Sequence, residues 1–339
     1  MANNKLLINA SNVHSGGASI LLNFFLNEAD FSKYSSITLI LDARCIINNK
    51  VSTNFDLIRV TPTLFGRIWN EVKICYFHGD LLCFGNLPPL FCRLKNTTVF
   101  FHNALYFEPK LCSKFGLKAR FRLFIESCLF RIRLQAASKF LVQSPHMKRR
   151  LCELSVDPNK IIIAPFADVN SKGDRVVSSG SFICVSSGDA HKNVMNLILA
   201  WEILAQEGVS PPLLLTLNQN QYPSLVDWIQ LKIDQSQLNI TNLGTIDRDE
   251  INDVYRAGAA LIFPSLIESF GLPLIEAREA SVDILAPELD YVRDVVSPVE
   301  TFDPLSPLSI SRAVKRYLGV SESLVGLCTP SEVLQIIFD

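Results

Sequence analysis

In the second half of the chain, short runs rich in apolar residues alternate with stretches of helical spacing. The runs are 182–185, 213–217, 240–243, 259–263 and 282–286. Strands covered on both faces read this way, because neither face is left to water. Between and after them, 194–206, 222–233, 248–257, 273–280 and 291–296 repeat apolar positions at helical intervals. This alternation predicts βαβ units and a parallel sheet with helices on both faces. The first half repeats the theme, with strands expected at 6–8, 36–41, 81–84, 97–101 and 140–142 and a long helix over 115–137. Residues 168–181 have linker composition, and 308–318 and 329–338 read as helical. An α/β chain with two Rossmann-like domains is expected, 1–165 and 166–320, followed by a C-terminal helix in 321–339.

Composition supports this division. A chain of 339 residues suits about two domains, and 48% hydrophobic content supplies two cores. Met1-Ala-Asn-Asn-Lys5 leads directly into a strand-like run, so no signal peptide is expected. No uninterrupted apolar run reaches the roughly 18–20 residues that span a bilayer. Nine scattered cysteines without a C-x-x-C pair fit reduced thiols in a cytosolic protein. The net charge of −1 hides an asymmetry: 21 Lys/Arg face 10 Asp/Glu before Pro165, and 11 face 23 after it. Eleven cations between Lys110 and Arg150 are balanced within that tract by Glu126 alone. Such a bias points to an anionic partner, and no recognition motif accompanies it that would indicate nucleic acid.

The most specific signal follows the apolar run 259–263. It reads Phe263-Pro-Ser-Leu-Ile-Glu268-Ser-Phe-Gly-Leu-Pro-Leu-Ile-Glu276, two glutamates with seven residues between them. Pro273 suits the first turn of a helix, where its missing N–H is not needed. Glu268 is then expected in the loop after a strand, and Glu276 in the first turn of the helix. Backbone amides at that helix start favour an anion such as a diphosphate. A carboxylate beside them can accept two hydrogen bonds from a vicinal diol such as ribose. The segment resembles the two-glutamate signature of the retaining glycosyltransferases of family 4, group 1 enzymes of bacterial polysaccharide assembly. These have the GT-B fold, two Rossmann-like parallel-sheet domains facing a cleft. The resemblance is strong over 182–304 and loose, though consistent in layout, over 5–164. It implies an acceptor domain first, a nucleotide-sugar donor domain second, and a final helix crossing back to the first.

Other loops are read against that resemblance. Ser11-Asn-Val-His14-Ser-Gly16-Gly17-Ala-Ser19 lies between a strand and a helix, where a glycine pair lets backbone approach a ligand. The spacing is not G-x-G-x-x-G, which disfavours a nicotinamide enzyme. In the family this loop faces the donor diphosphate. Val185-Ser-Ser187-Gly-Asp189-Ala-His191-Lys192-Asn193 resembles the segment whose lysine neutralises the leaving diphosphate. Lys192 matches that lysine, whereas Ser187 stands where an arginine is usual, with His191 a partial substitute. His102, after the run 97–101, occupies the position of a histidine that approaches the transferred sugar. Thr245 and Ile246 fall where backbone contacts the base. Glu268, Lys192 and His102 are the expected catalytic residues. Gly16, Gly17, Lys192, Thr245, Ile246, Ser269, Phe270, Gly271, Leu272 and Glu276 are the expected donor-binding set.

The resemblance implies a hexosyltransferase that moves a sugar from a UDP- or GDP-linked donor to an acceptor with retention. It needs no metal or other cofactor, and the acceptor is expected to be a lipid-linked saccharide of O-antigen, lipopolysaccharide or capsule synthesis. The basic tract, interleaved with Phe115, Phe121, Phe124, Leu129 and Phe130, suits an anionic membrane surface. That gives a cytoplasmic protein, peripheral on the cytoplasmic face of the inner membrane. Alternatively, those aromatics form a core face, or the cations attract the acidic second half. Alternatives for the chemistry are a GT-B sugar-nucleotide 2-epimerase and a non-catalytic sugar-nucleotide-binding protein. A glycosidase carboxylate pair is disfavoured, since one glutamate opens a helix beside an anion site.

Overall fold

The structure is a computed structural model of the chain and describes residues 5–14, 16–47, 55–92, 94–108, 116–167, 179–257 and 259–321. The helix expected at 329–338, residues 168–178 of the linker, and Phe115 lie outside the described residues.

The first sheet contains β1 (Lys5–Ala10), β2 (Ser36–Asp42), β3 (Asp56–Val60), β4 (Asp80–Cys83), β5 (Thr97–Phe100), β6 (Lys139–Val142) and β7 (Ile161–Ile163). Its order is β3-β2-β1-β4-β5-β6-β7, all parallel. Its helices are α1 (Gly17–Glu28), α2 (Leu64–Cys75), α3 (Leu117–Arg133) and α4 (Pro145–Glu153). Alternation along the strands feeds two cores: Leu7, Ile40, Leu81 and Val99 face one, and Ile8, Leu39, Leu41 and Phe100 the other. Both faces are covered, which is why the central strands read as continuous apolar runs. Ser144 caps α4, its hydroxyl accepting from the Met147 N–H at 3.3 Å.

The second sheet contains β8 (Phe182–Cys184), β9 (Leu213–Leu215), β10 (Ile240–Asn242), β11 (Ala260–Ile262), β12 (Ile284–Pro287) and β13 (Glu300–Phe302). Its order is β10-β9-β8-β11-β12-β13, again parallel. The connecting helices are α5 (Val194–Gln206), α6 (Pro223–Ser236), α7 (Arg248–Arg256), α8 (Leu272–Glu279), α9 (Asp290–Arg293) and α10 (Pro307–Tyr317). Phe182, Cys184, Ile262 and Leu285 face one core, and Ile183, Leu261, Ile284 and Ala286 the other. Asp247 and Glu250 form a capping box that starts α7.

Strand order reverses beside β1 in one sheet and beside β8 in the other. In open parallel sheets, such switch points leave a crevice at the carboxyl ends of the strands where ligands bind. The Gly16-Gly17 loop follows β1, and Lys192 follows β8.

Sequence reading missed β3, β7, β13, α2 and α4. The three strands are sheet edges: β3 has only Val60 buried, and Ile162 and Ile163 of β7 are exposed. β3 and β13 place charged residues, Asp56, Arg59 and Glu300, where a central strand keeps an apolar run, whereas β7 is three isoleucines and keeps that run. α9 covers four residues and is shorter than the helix expected at 291–296. The core-face account of the α3 aromatics holds only in part. Leu123 and Phe130 are buried and Leu129 is half-buried, whereas Phe121 and Phe124 are 66% and 65% exposed.

Candidate active site

The two domains meet through loops that follow their strands. Ile267 packs into one core of the first domain, and Leu272 packs against the other. A Cβ on Gly17 would lie 3.4 Å from Cδ1 of Leu272, so the glycine loop and the start of α8 are in contact. The Ser144 hydroxyl donates to the Ser269 carbonyl at 3.0 Å. Arg149 pairs with Asp294 at 3.2 Å, and the His146 N–H donates to the same carboxylate.

The loop after β8 is built from local constraints. Ser187 donates to Asp189 at 2.8 Å. A side chain on Gly188 would come within 2.5 Å of the Tyr222 ring, so only glycine fits there. Burial, then Asp189, pushes the Tyr222 phenol up to about 12. Asn193 takes the left-handed conformation at φ 60° and starts α5. Its buried amide donates to the carbonyls of Pro264, at 3.1 Å, and Pro304, at 2.7 Å. The Leu266 N–H donates to the His191 carbonyl at 2.8 Å. These bonds tie the loop after β8 to the loop after β11. They leave Nζ of Lys192 2.7 Å from Oε1 of Glu268, with side chains 19% and 12% exposed. Burial, then the Lys192 charge, lowers the His191 pKa. It adds no cation at neutral pH.

Gly271, at φ 74°, turns the chain into α8, with Pro273 in the first turn. Glu276 is the fifth residue of that helix, one residue further in than the sequence suggested and just past the first turn. Its carboxylate adds to burial in raising the phenol pKa of Tyr255, whose buried hydroxyl has no hydrogen-bond partner among the described residues. Thr245 lies beyond β10, where its hydroxyl accepts from the Asn218 amide at 2.9 Å.

His102 follows β5 and makes its contacts with Asn86, Phe84 and Phe100 of the first domain. Its backbone N–H donates to Oδ1 of Asn86 at 2.7 Å, and its ring lies 4.9 Å from that of Phe100. Burial lowers its pKa to about 4, opposed weakly by the Phe100 backbone, so the ring is neutral. The structure thus brings Lys192 to Glu268 and Gly17 to Leu272. Asn193, Tyr222 and Asn218 were not singled out from sequence; their roles depend on partners far along the chain. Among the described residues, no group of three or more His, Cys, Asp or Glu side chains could hold a metal ion. No described helix is long and apolar enough to cross a membrane.

This architecture has known counterparts. Solved structures superimpose on both domains, among them HepE of Anabaena in complex with UDP-glucose. That structure has a TM-score of 0.62 at 13% identity, covering 93% of this chain and 89% of that one. The chain has the GT-B fold. Residues 172–323 match the family model described as glycosyl transferases group 1. The serotype-specific mannosyltransferase WbdA of Escherichia coli is 27% identical over 151 residues, which is 43% of this chain and 18% of WbdA. The chain therefore matches under a fifth of that relative's length. The O-antigen chain mannosyltransferase RfbU of Salmonella typhimurium is 21% identical over 261 residues, 74% of this chain and 69% of RfbU.

Proposed function

We propose that the chain is a retaining glycosyltransferase that moves a hexose from a nucleotide-sugar donor, UDP- or GDP-linked, to a saccharide acceptor in bacterial surface polysaccharide synthesis. The observation that carries this reading is the Lys192–Glu268 pair at the switch point of the second sheet, beside the start of α8. Sugar transfer passes through an oxocarbenium-like state while a nucleoside diphosphate leaves with added negative charge. Fixed positive charge and amides aimed at that diphosphate lower the barrier. Lys192, the amides of 270–272 and the Gly16-Gly17 loop take that role. Glu276 holds the ribose, Thr245 and Ile246 border the base, and Glu268 and neutral His102 orient the sugar. Attack from the face of departure gives retention, and the leaving phosphate helps to deprotonate the acceptor. The O-antigen function named for RfbU supports the polysaccharide setting.

The acceptor is lipid-linked in this reading, and the first domain rests on the cytoplasmic face of a membrane. Leu117, Phe121, Phe124 and Ile132 form an exposed stripe on α3, while Lys118, Arg120 and Arg131 have no ion-pair partner among the described residues. Apolar insertion beside free cations suits anionic headgroups. Several other cations of the tract are engaged: Arg122 pairs with Glu126, Arg133 bonds the carbonyls of Pro89 and Cys92, and Arg149 and Arg150 meet acidic partners, while Lys110 and Lys114 lie outside the described residues.

The reaction is tested by incubating the chain with UDP- and GDP-sugars, with and without saccharide acceptors. Nucleoside diphosphate should accumulate only when acceptor is present. Equal release without acceptor indicates a hydrolase or epimerase, and binding without release indicates a non-catalytic sugar-nucleotide-binding protein.

A further inference from the structure

A cavity of 550 Å³ lies at the domain seam, apart from the residues assigned to the donor. The first domain contributes Glu108, His146 and Arg150, and the second contributes Glu288, Asp290 and Tyr291. Its size falls within the roughly 300–1,000 Å³ of small-molecule sites. Leu266 and Ile267 form part of its wall. They immediately precede Glu268, so the cavity and the Lys192–Glu268 pair share one loop. That loop is held by the buried Tyr291 hydroxyl, which donates to the Ser265 carbonyl at 2.7 Å.

The charges select the class of occupant. The lining itself carries three carboxylates (Glu108, Glu288, Asp290) against one guanidinium (Arg150), and with their direct ion-pair partners four carboxylates (Glu108, Glu153, Glu288, Asp290) meet three guanidinium groups (Arg149, Arg150, Arg293). His146 adds no charge at neutral pH, since burial and then Arg149 and Arg150 hold its pKa down. The net negative field repels a nucleoside diphosphate. Arg150 is already engaged by Glu108 at 2.8 Å and Glu153 at 3.0 Å, which leaves no free cation for a phosphate. Paired carboxylates still offer lone pairs to hydroxyl donors. Leu289 and Leu305 add apolar surface, with Leu305 66% exposed. Hydroxyl acceptors beside apolar surface match the edge and face of a pyranose ring.

We propose that this cavity binds the sugar units of the acceptor, a neutral oligosaccharide hydrogen-bonded by Glu108, Glu288 and Asp290 and packed on Leu289 and Leu305. The proposal rests on the transferase reading of Glu268, because it places the acceptor glycan next to the sugar being transferred.

The test measures binding of mannotriose, galactobiose, maltotriose and chitotriose to the full chain by saturation-transfer NMR and calorimetry. Leu305→Trp fills the mouth, and Asp290→Asn removes a charge from an exposed side chain without changing its shape. At least one oligosaccharide should bind wild type and weaken about tenfold or more in Leu305→Trp and severalfold in Asp290→Asn. Affinity for UDP and GDP should stay within about twofold in both folded variants. Absence of binding by all four sugars, or unchanged sugar affinity in both variants, overturns the proposal. Nucleotide binding, measured separately, reports on the donor reading whichever way the sugar result falls.

Discussion

Lys192 and Glu268 stand 2.7 Å apart although 76 positions separate them in the chain. The contact exists because Asn193 and His191 bond the loop after β11 just before Glu268. Lys192 is thereby held facing the cleft rather than extended into water. Replacing Lys192 with Ala should leave the fold intact and lower turnover. Loss of one charge stabilising a leaving group is worth about 3–4 kcal/mol, by analogy with single oxyanion donors. Near wild-type turnover in a folded variant would assign the diphosphate to another group.

Glu276→Ala should weaken nucleotide-sugar binding, because a bidentate ribose contact is removed. The loss is about 1–3 kcal/mol, or roughly ten- to hundredfold in Kd. Glu268→Ala should instead act mainly on kcat, since it orients the sugar during transfer. Calorimetry beside initial rates separates the two effects.

Asn193 combines a left-handed backbone with two buried hydrogen bonds. Asn193→Gly keeps the backbone and loses the bonds; Asn193→Ala loses both. Stability by denaturant unfolding should fall in the order wild type, Gly variant, Ala variant. The Pro264 carbonyl, left without this donor, accounts for about 1–3 kcal/mol, whereas the Pro304 carbonyl keeps the Asn196 amide at 3.0 Å. Equal stability of the three proteins would show that the link between the two loops is unimportant.

His102 has a pKa lowered to about 4 from an ordinary 6.5. Between these values the unfolded chain binds more protons than the folded one. Folding stability should therefore decline as pH falls from 6.5 towards 4, with the His102 contribution fully present above 6.5. The size is on the order of 1–3 kcal/mol, since the ring is only partly shielded from water. His102→Phe should flatten that part of the profile in thermal unfolding, and an unchanged slope would remove His102 as its source.

Vesicle co-sedimentation tests the α3 surface. Binding should appear with anionic lipids, fade at high salt, and weaken when Phe121 and Phe124 become Asp or when Arg120 and Arg131 are neutralised. Each cation near such a surface contributes on the order of 1 kcal/mol. A protein that stays in the supernatant with anionic vesicles at low salt contradicts membrane docking and leaves the chemistry untouched.

Much of this arrangement was legible in the sequence, for identifiable reasons. Central strands such as β8 and β11 are buried on both faces and announce themselves as apolar runs. The edge strands β3 and β13 do not, and β7, the isoleucine run Ile161–Ile163, was missed although it is apolar throughout. Glu268, Gly271 and Pro273 could be placed because a turn and a helix start have local rules. Tyr222 could not, since its packing on Gly188 joins residues from two different crossovers. The exposed side of α3 was legible only in part: the interleaved cations and aromatics suggested a surface, but helical spacing alone does not say which aromatics meet a core and which meet water.

The central claim is that the Lys192–Glu268 cleft is a nucleotide-sugar site. Calorimetric titration of UDP- and GDP-sugars into wild type, Lys192→Ala and Glu276→Ala tests it most directly. The account predicts that wild type binds at least one donor saturably and that both folded variants bind it more weakly, with Glu276→Ala weaker by roughly ten- to hundredfold. Failure of wild type to bind any UDP- or GDP-sugar, or equal affinity in all three proteins, would contradict it.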